Sequence, residues 1–393
     1  FTWKDVATDD FYTWNDTTNS PTFAIGRFCV NTLEEAKILV DKTIEYERNT
    51  EPGQWSNRVL LIADDEKGDN AQGQDTEFSR DTENFDRRPE YGIPKWLDRR
   101  KIMLIEYPMK NYLKPDATEA LLASYNEGCA ISMYVGHGNK DLLSHEHILV
   151  GPRDIERFNN GGRQSLFLVA SCSVGSFDRI DYTSLSELLH LRKNGGCIAV
   201  ISATRETYHA SNIDMVRALF PNLFGTKNNP EYRIGRALEL AKKRATYTDI
   251  SDNYYNRYLI FGDPATRLMI PRYRFAVSPV DSLRRLAKVS IEGAVTESGK
   301  PIPYSGTLHV TARGPRIHKK YVIAAGYNIE YTMPGRTFYR GEIPISGTGF
   351  SSALVLPKHI MPDSPDSVIL FFAAVEGKNA SRMTENASSP ILP

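Results

Sequence analysis

Five short apolar runs, 59–63, 102–105, 130–135, 166–170 and 197–201, recur through the first half of the chain, set apart by helical stretches or polar loops. Runs this short and this uniformly apolar suit strands buried on both faces, which implies a mostly parallel sheet with helices against each face. The helical stretches carry their own boundary signals. Asn31 and Thr32 precede Glu34 and Glu35, and apolar positions from Leu33 to Ile44 then recur at helical spacing. Pro115 and Asp116 open a second helix that Gly128 stops, a third covers about 184–193 before Asn194-Gly195-Gly196, and a fourth covers about 232–244. Residues 64–95 are polar, acidic and arginine-rich and are expected to form one long loop, a kind of segment that in compact domains is often functional. Beyond Pro271 the texture changes to alternating or β-branched segments at 287–295, 306–312, 320–325 and 368–375, which read as a small β-sandwich. The expected organisation is therefore 1–22 as the end of an upstream region, 23–273 as an α/β domain and 274–393 as an all-β domain.

Charge excludes some partners. The 393 residues hold 48 Lys and Arg against 48 Asp and Glu, so no basic excess exists to neutralise nucleic-acid phosphates or to seek an anionic membrane. No apolar run is long enough to span a bilayer. Phe1 is not a natural start, so any targeting segment is expected upstream. The four cysteines, Cys29, Cys129, Cys172 and Cys197, show no CxxC spacing, which argues against a zinc ribbon or a redox pair. Cys129 and Cys197 lie in apolar runs and read as buried free thiols.

In open α/β sheets ligands bind beyond the carboxyl ends of the strands. Two such ends stand out. The run ending at Val135 continues into Gly136-His137-Gly138-Asn139, and the run ending at Ala170 continues into Ser171-Cys172-Ser173-Val174-Gly175. Neighbouring parallel strands would bring a thiol beside an imidazole. An imidazole raises the thiolate fraction of a cysteine and later protonates a leaving amine. The N–H groups of Gly138 and Cys172 are candidate donors to the oxyanion that forms during acyl transfer. A lone strand-end cysteine is more often a packed small hydrophobe, and a lone histidine in a glycine turn is more often structural. The two together, at matching strand ends, favour chemistry.

The segments "YVGHGN" (134–139) and "ASCSVGSFD" (170–178) resemble the His-Gly and Ala-Ser-Cys elements of the gingipain peptidases, within the caspase-like group of cysteine peptidases. The likeness extends to "AIGRFCVNTLEEAKILVDKTIEYE" (24–47), "RVLLIADDEKGDN" (58–70), "NGGCIAVISATRETY" (194–208) and "FGDPATRLMIP" (261–271). Within that family the sequence is similar to the sortase branch of the type IX secretion system of Bacteroidota. The resemblance implies a caspase-like α/β fold followed by an immunoglobulin-like domain, with Cys172 and His137 as catalytic dyad. It also implies removal of C-terminal secretion signals from surface proteins, with transfer of the acyl group to lipopolysaccharide. Outer-membrane secretion partners and an extracellular or outer-membrane location follow from the same likeness.

The family also uses an acid to orient its histidine, and by distance before His137 that role falls to Glu77, one of many charges in its loop. Asp64 and Asp65, with Asp69, could hold a structural calcium, because hard oxygen ligands on a loop suit that ion and because gingipains bind it. A plain acidic loop is the alternative. The chemistry itself requires no cofactor. Arg205 and Glu206 follow the fifth run, with His209 nearby, and either line a substrate pocket or form an ion pair that fixes the loop. Asp178 and Asp181 are expected to cap the next helix. His145 and His147 have no third partner at fixed spacing and mark a loop bordering the cleft, where Leu142 or Leu143 would alter the substrate wall.

Three functions remain open at this level. The first is a transpeptidase of sortase type, the second a secreted endopeptidase of the same fold. The third is an inactive module used for binding or assembly, against which the joint presence of His137 and Cys172 argues. A dinucleotide-binding domain is disfavoured because no GxGxxG follows a strand.

Overall fold

The computed structural model describes residues 2–3, 6–18, 20–48, 53–65, 77–91, 93–94, 96–244, 254–271, 273–278, 286, 288–297, 299–324, 327–355, 358, 369–375 and 383–384. Its centre is a six-stranded sheet of β1 (Arg58–Ala63), β2 (Asp98–Met103), β3 (Ile131–Val135), β4 (Ser165–Ala170), β5 (Cys197–Ala203) and β6 (Tyr258–Phe261), in the spatial order β6-β5-β4-β3-β1-β2. All neighbours are parallel except the antiparallel pair β5 and β6.

Both faces are covered, as uniformly apolar strands require. On one face Leu61, Met133, Leu168 and Ile201 meet α2 (Phe78–Arg87), α5 (His209–Leu219) and α6 (Ile234–Arg244). On the other, Leu60, Ile62, Phe167, Val169 and Val200 meet α3 (Pro115–Glu127) and α4 (Leu185–Leu191). Helix α1 (Leu33–Glu47) opens with a capping box, in which the Glu35 N–H donates to Thr32 Oγ1 at 3.2 Å and Glu35 Oε2 accepts from the Thr32 N–H at 3.1 Å. Such a box satisfies two orphan donors of the first turn at once.

The expected long loop is interrupted. Helix α2 lies inside it, and its sequence hides it: only Phe78 and Phe85 are apolar core residues, while Ser79, Thr82, Glu83 and Asp86 are also buried. Helix α5 was likewise absent from the sequence reading. Asp178 and Asp181 do not cap α4. Ser184 and Glu187 form its capping box, while Asp178 pairs with Arg205 and Asp181 with Arg179. The described part of 1–22 packs on the α/β unit. Lys242 Nζ donates to both Asp10 carboxylate oxygens at 2.6 and 2.7 Å, and Thr204 Oγ1 donates to the Ala7 carbonyl at 2.7 Å.

Among the described residues beyond 273 the chain forms two four-stranded sheets. One contains β7 (Arg274–Val277), β8 (Lys288–Glu297) and β13 (Phe350–Val355). The other contains β9 (Tyr304–Arg313), β12 (Thr337–Gly347) and β14 (Ile369–Val375). Phe275, Ile291 and Phe350 from the first share one core with Leu308, Val310 and Ile345 from the second. Between β9 and β12 a hairpin of β10 (Ile317–Ala324) and β11 (Tyr327–Met333) leaves this sandwich and reaches the α/β unit. There Ile329 and Tyr331 pack on Ala63 and Met103.

Charge seals the same junction. Lys101 Nζ, with its side chain 2% exposed, lies 2.6 Å from Glu83 and 2.6 Å from Asp86, and donates to the Thr332 carbonyl at 2.8 Å. Arg316 reaches Asp86 at 2.7 Å, and Arg313 grips Asp98 with two bonds of 2.5 and 2.9 Å. Burial alone would raise the Asp86 carboxyl, but Lys101, Arg99 and Arg316 outweigh it and hold the group at about 2. The unfolded value is about 3.9. A carboxyl depressed on folding contributes stability above its unfolded pKa and loses it as the pH falls through the folded value. Asp86→Asn is therefore expected to cost about 3–5 kcal/mol near neutrality, because it strands buried cations. It should also flatten the loss of stability between about pH 4 and pH 2. Urea unfolding measured across that range checks both outcomes.

Candidate active site

The site is built by register. In the parallel pairing Val135 stands opposite Ala170 on one side and Ala63 on the other. His137 and Cys172 therefore both lie two residues past one paired row, on adjacent strands, and Asp64 lies one residue past it. Adjacent strands run about 4.8 Å apart, so the thiol and the imidazole start from neighbouring positions.

The turn carrying Cys172 is shaped by β5. Ser173 takes a left-handed φ of 52°, and its N–H donates to the Arg205 carbonyl at 3.1 Å, while the Gly175 N–H donates to the Ala203 carbonyl at 2.9 Å. Cys172 is half-buried. Among the described residues its sulfur bonds only to Thr207: the thiol donates to the carbonyl at 3.1 Å, and the Thr207 N–H and Oγ1 approach it at 3.4 and 3.7 Å. The first contact suits a thiol and the other two suit a thiolate. The His137 imidazole is not among these partners. Catalytic bonds are commonly loose before substrate arrives.

His137 is framed on several sides. The buried Phe78 ring meets it edge-on at 5.2 Å, and His145 lies against it with ring centroids 4.3 Å apart. Phe78 meets His209 in the same way at 5.2 Å, and His209 Nε2 lies 2.7 Å from Asp81 Oδ2. The His137 N–H donates to Asp64 Oδ2 at 2.8 Å, and the Tyr134 hydroxyl donates to the His137 carbonyl at 2.6 Å. Burial, then the Glu146 carboxylate, push the Asp64 carboxyl well above the ordinary carboxylate range, against the His137 N–H.

Glu77 immediately precedes Phe78, which brings the start of α2 to the His137 side of the site; its carboxylate pairs with Arg80. Gly138 stands between the two strand ends, where a Cβ would come within 2.6 Å of Ser171 Oγ. Arg205 forms an ion pair with Asp178. Its guanidinium meets Asp178 at 2.9 and 2.5 Å and also donates to the Thr204 carbonyl at 2.8 Å. The Arg205 bond holds the Asp178 carboxyl below its ordinary value. Glu206 is exposed, and its carbonyl accepts from Arg257. Leu143 is fully buried and walls no cleft, whereas Leu142 is half-buried.

Asp64 and Asp65 are both buried and are joined by Glu146, their ligand-type oxygens all lying within 4.8 Å of one another. Asp69 lies outside the described residues. Lys114 Nζ already sits 2.5 Å from Asp65 Oδ2, and Ser144 Oγ donates to Glu146 Oε2 at 2.9 Å. Thr207, Phe78 and Tyr134 escaped the sequence reading. Tyr134 and Thr207 lie within the segments that carry the family resemblance, but nothing local marks a role for any of the three, and each matters through a contact distant in sequence.

Gly136 admits no side chain, since a Cβ there would overlap both Asp64 Cβ and the Tyr134 hydroxyl. Gly136→Ala is expected to cost about 1–3 kcal/mol through overpacking. Gly314→Ala, whose Cβ would meet nothing nearer than 3.9 Å, should stay within about 0.5 kcal/mol of the parent. Chemical denaturation of the two variants provides the comparison.

Residues 2–269 match the family described as Peptidase family C25. Gingipain R2 of Porphyromonas gingivalis is 24% identical over 184 residues, which cover 46% of this chain and 23% of that protein. Gingipain R1 of Porphyromonas gingivalis matches at the same identity over 46% of this chain and 17% of its own length. The chain thus spans less than a quarter of these relatives. Among solved structures, the Arg specific cysteine proteinase gingipain R (RGPB) superposes with a TM-score of 0.55 at 18% identity, covering 97% of this chain and 78% of that one. At that identity the likeness concerns the fold.

Proposed function

The chain belongs to Peptidase family C25, and on that premise we propose that it cleaves peptide bonds through a Cys172 acyl-enzyme with His137 as general base and acid. The observation that carries the proposal is the shared row, with both side chains two residues past the paired Val135 and Ala170. His137 takes the proton from the Cys172 thiol, and the sulfur attacks the scissile carbonyl carbon. The oxyanion faces the N–H groups of Gly138 and Cys172, preorganised donors of a kind worth several kcal/mol in acyl transfer. The imidazolium then gives its proton to the leaving amine. Water or a second amine attacks the thioester and releases the thiol. The Thr207 N–H and hydroxyl support the thiolate, and Glu77 is the acid assigned to orient the imidazole.

In the finer reading the enzyme is a transpeptidase of sortase type. It acts on protein substrates outside the cell or at the outer-membrane surface, removes their C-terminal secretion signals and passes the acyl group to a lipopolysaccharide amine, alongside secretion partners. An immunoglobulin-like character is assigned to the C-terminal sheets on the same grounds. No helix among the described residues is long and apolar enough to cross a membrane. A secreted endopeptidase uses the same steps with water as acceptor. Calcium takes no chemical part. Asp64 and Asp65, with Glu146, are the carboxylates that would hold it, and Lys114 would have to leave Asp65 for it to enter.

A peptide-mixture digest read by mass spectrometry, with and without an added amine, tests the proposal. Cys172→Ala is expected to lose activity by about 10⁴-fold or more, and His137→Ala by about 10²- to 10⁴-fold. Amine-capped products in excess of hydrolysed ones support the transpeptidase, and hydrolysis alone supports the endopeptidase. Wild-type cleavage by Cys172→Ala would sink the assignment, and no cleavage by the parent chain would favour a binding module.

A further inference from the structure

From the bonds beneath His137, we propose that Asp64 and Tyr134 are positioning residues that clamp the His137 main chain at both ends and so set where its imidazole stands. The inference rests on His137 being the base proposed above. It concerns the backbone of that residue, not the acid that faces its ring.

His137 is in a glycine-flanked turn, Gly136-His137-Gly138. Flanking glycines widen the accessible backbone conformations, so such a turn does not by itself hold an imidazole to the few tenths of an ångström that catalysis needs. Two bonds and one close polar contact supply what the glycines remove. The N–H of His137 donates to Asp64 Oδ2 at 2.8 Å, its carbonyl accepts from the Tyr134 hydroxyl at 2.6 Å, and that hydroxyl lies 3.0 Å from Asp64 Oδ2. The loop is closed: one carboxylate oxygen and one phenol oxygen bridge the donor and the acceptor of a single residue. A further bond to the same carbonyl comes from the Ser144 N–H at 2.9 Å.

The clamp is itself anchored in the sheet. The Asp64 N–H donates to the Val135 carbonyl at 2.9 Å, and Asp64 Oδ1 accepts from the Asp65 N–H at 3.0 Å. Tyr134 is fully buried and Asp64 is 2% exposed. Gly136 leaves the room the clamp needs, because a Cβ there would strike both of its members. The end of β1 thus holds the base presented by β3, while β4 presents the nucleophile.

The test uses the peptide cleavage assay on the whole chain. Tyr134→Phe deletes one oxygen. Asp64→Ala deletes the acceptor. Asp64→Asn, with its amide oxygen in the place of Oδ2, keeps the acceptor for the His137 N–H. Tyr134→Phe and Asp64→Ala are expected to lose roughly 10- to 100-fold in kcat with KM little changed, the scale of a base displaced by about 1 Å. Asp64→Asn should retain more kcat than Asp64→Ala. Alkylation of Cys172 by iodoacetamide at high pH, where the thiol needs no base, should be equal in all of them. Parent-like kcat in Tyr134→Phe, or Asp64→Asn as impaired as Asp64→Ala, overturns the clamp while Cys172→Ala remains inactive. Full activity in Cys172→Ala overturns the functional reading instead. If Asp64→Ala does not fold, Tyr134→Phe and Asp64→Asn decide the question alone.

Discussion

Everything at the candidate site depends on the parallel pairing of strand Ile131–Val135 with its two neighbours. Backbone hydrogen bonds set which residues stand level, and they place Ala63, Val135 and Ala170 in one row. The chemistry-bearing residues come one or two positions later on each strand. A one-residue slip would turn every side chain of a strand to the other face. Such a slip is prevented because both faces are buried, with Leu61 and Met133 committed to one core and Leu60 and Ile62 to the other.

Around that frame, polar groups do much of the joining. Asp10 with Lys242 ties the first residues to α6. Lys101 with Glu83 and Asp86 ties β2 to α2, and Arg316 and Arg313 bring the sandwich to the same cluster. A buried charge is tolerated only when paired and hydrogen-bonded, so these clusters specify one arrangement of the units. Their consequence reaches the site, because α2 carries both Asp81, which holds His209, and Phe78, which borders His137. The hairpin of the sandwich touches that helix as well, through Arg80 and the Asn328 carbonyl at 3.2 Å.

Those same clusters explain what the sequence left illegible. Central strands were readable because burial on both faces writes an unbroken apolar run. The helices at 33–47, 115–127, 185–191 and 234–244 were readable from caps and spacing. Helix α2 was not, because its buried face is lined by Ser79, Thr82, Glu83 and Asp86, and the partners of Glu83 and Asp86 include Lys101 on β2 and Arg316 far along the chain. Texture also revealed the sandwich strands at 288–297, 304–313 and 369–375. It could not reveal that 317–333 would leave the sandwich, because a hairpin that packs on the α/β unit has the same alternation as one that stays.

The sequence by itself determined that a thiol and an imidazole would follow two buried strands. Strand ends and glycine turns are local events, and local events are written in neighbouring residues. Only the tertiary structure decided which strands are adjacent, that the two ends are level, and that Asp64 lies beneath His137. It likewise turned the Cys172 thiol toward Thr207 and committed the Arg205 guanidinium to Asp178. Each of these is a contact between residues far apart in the chain, fixed by the register of a sheet and the packing around it, and no pattern of neighbours encodes it.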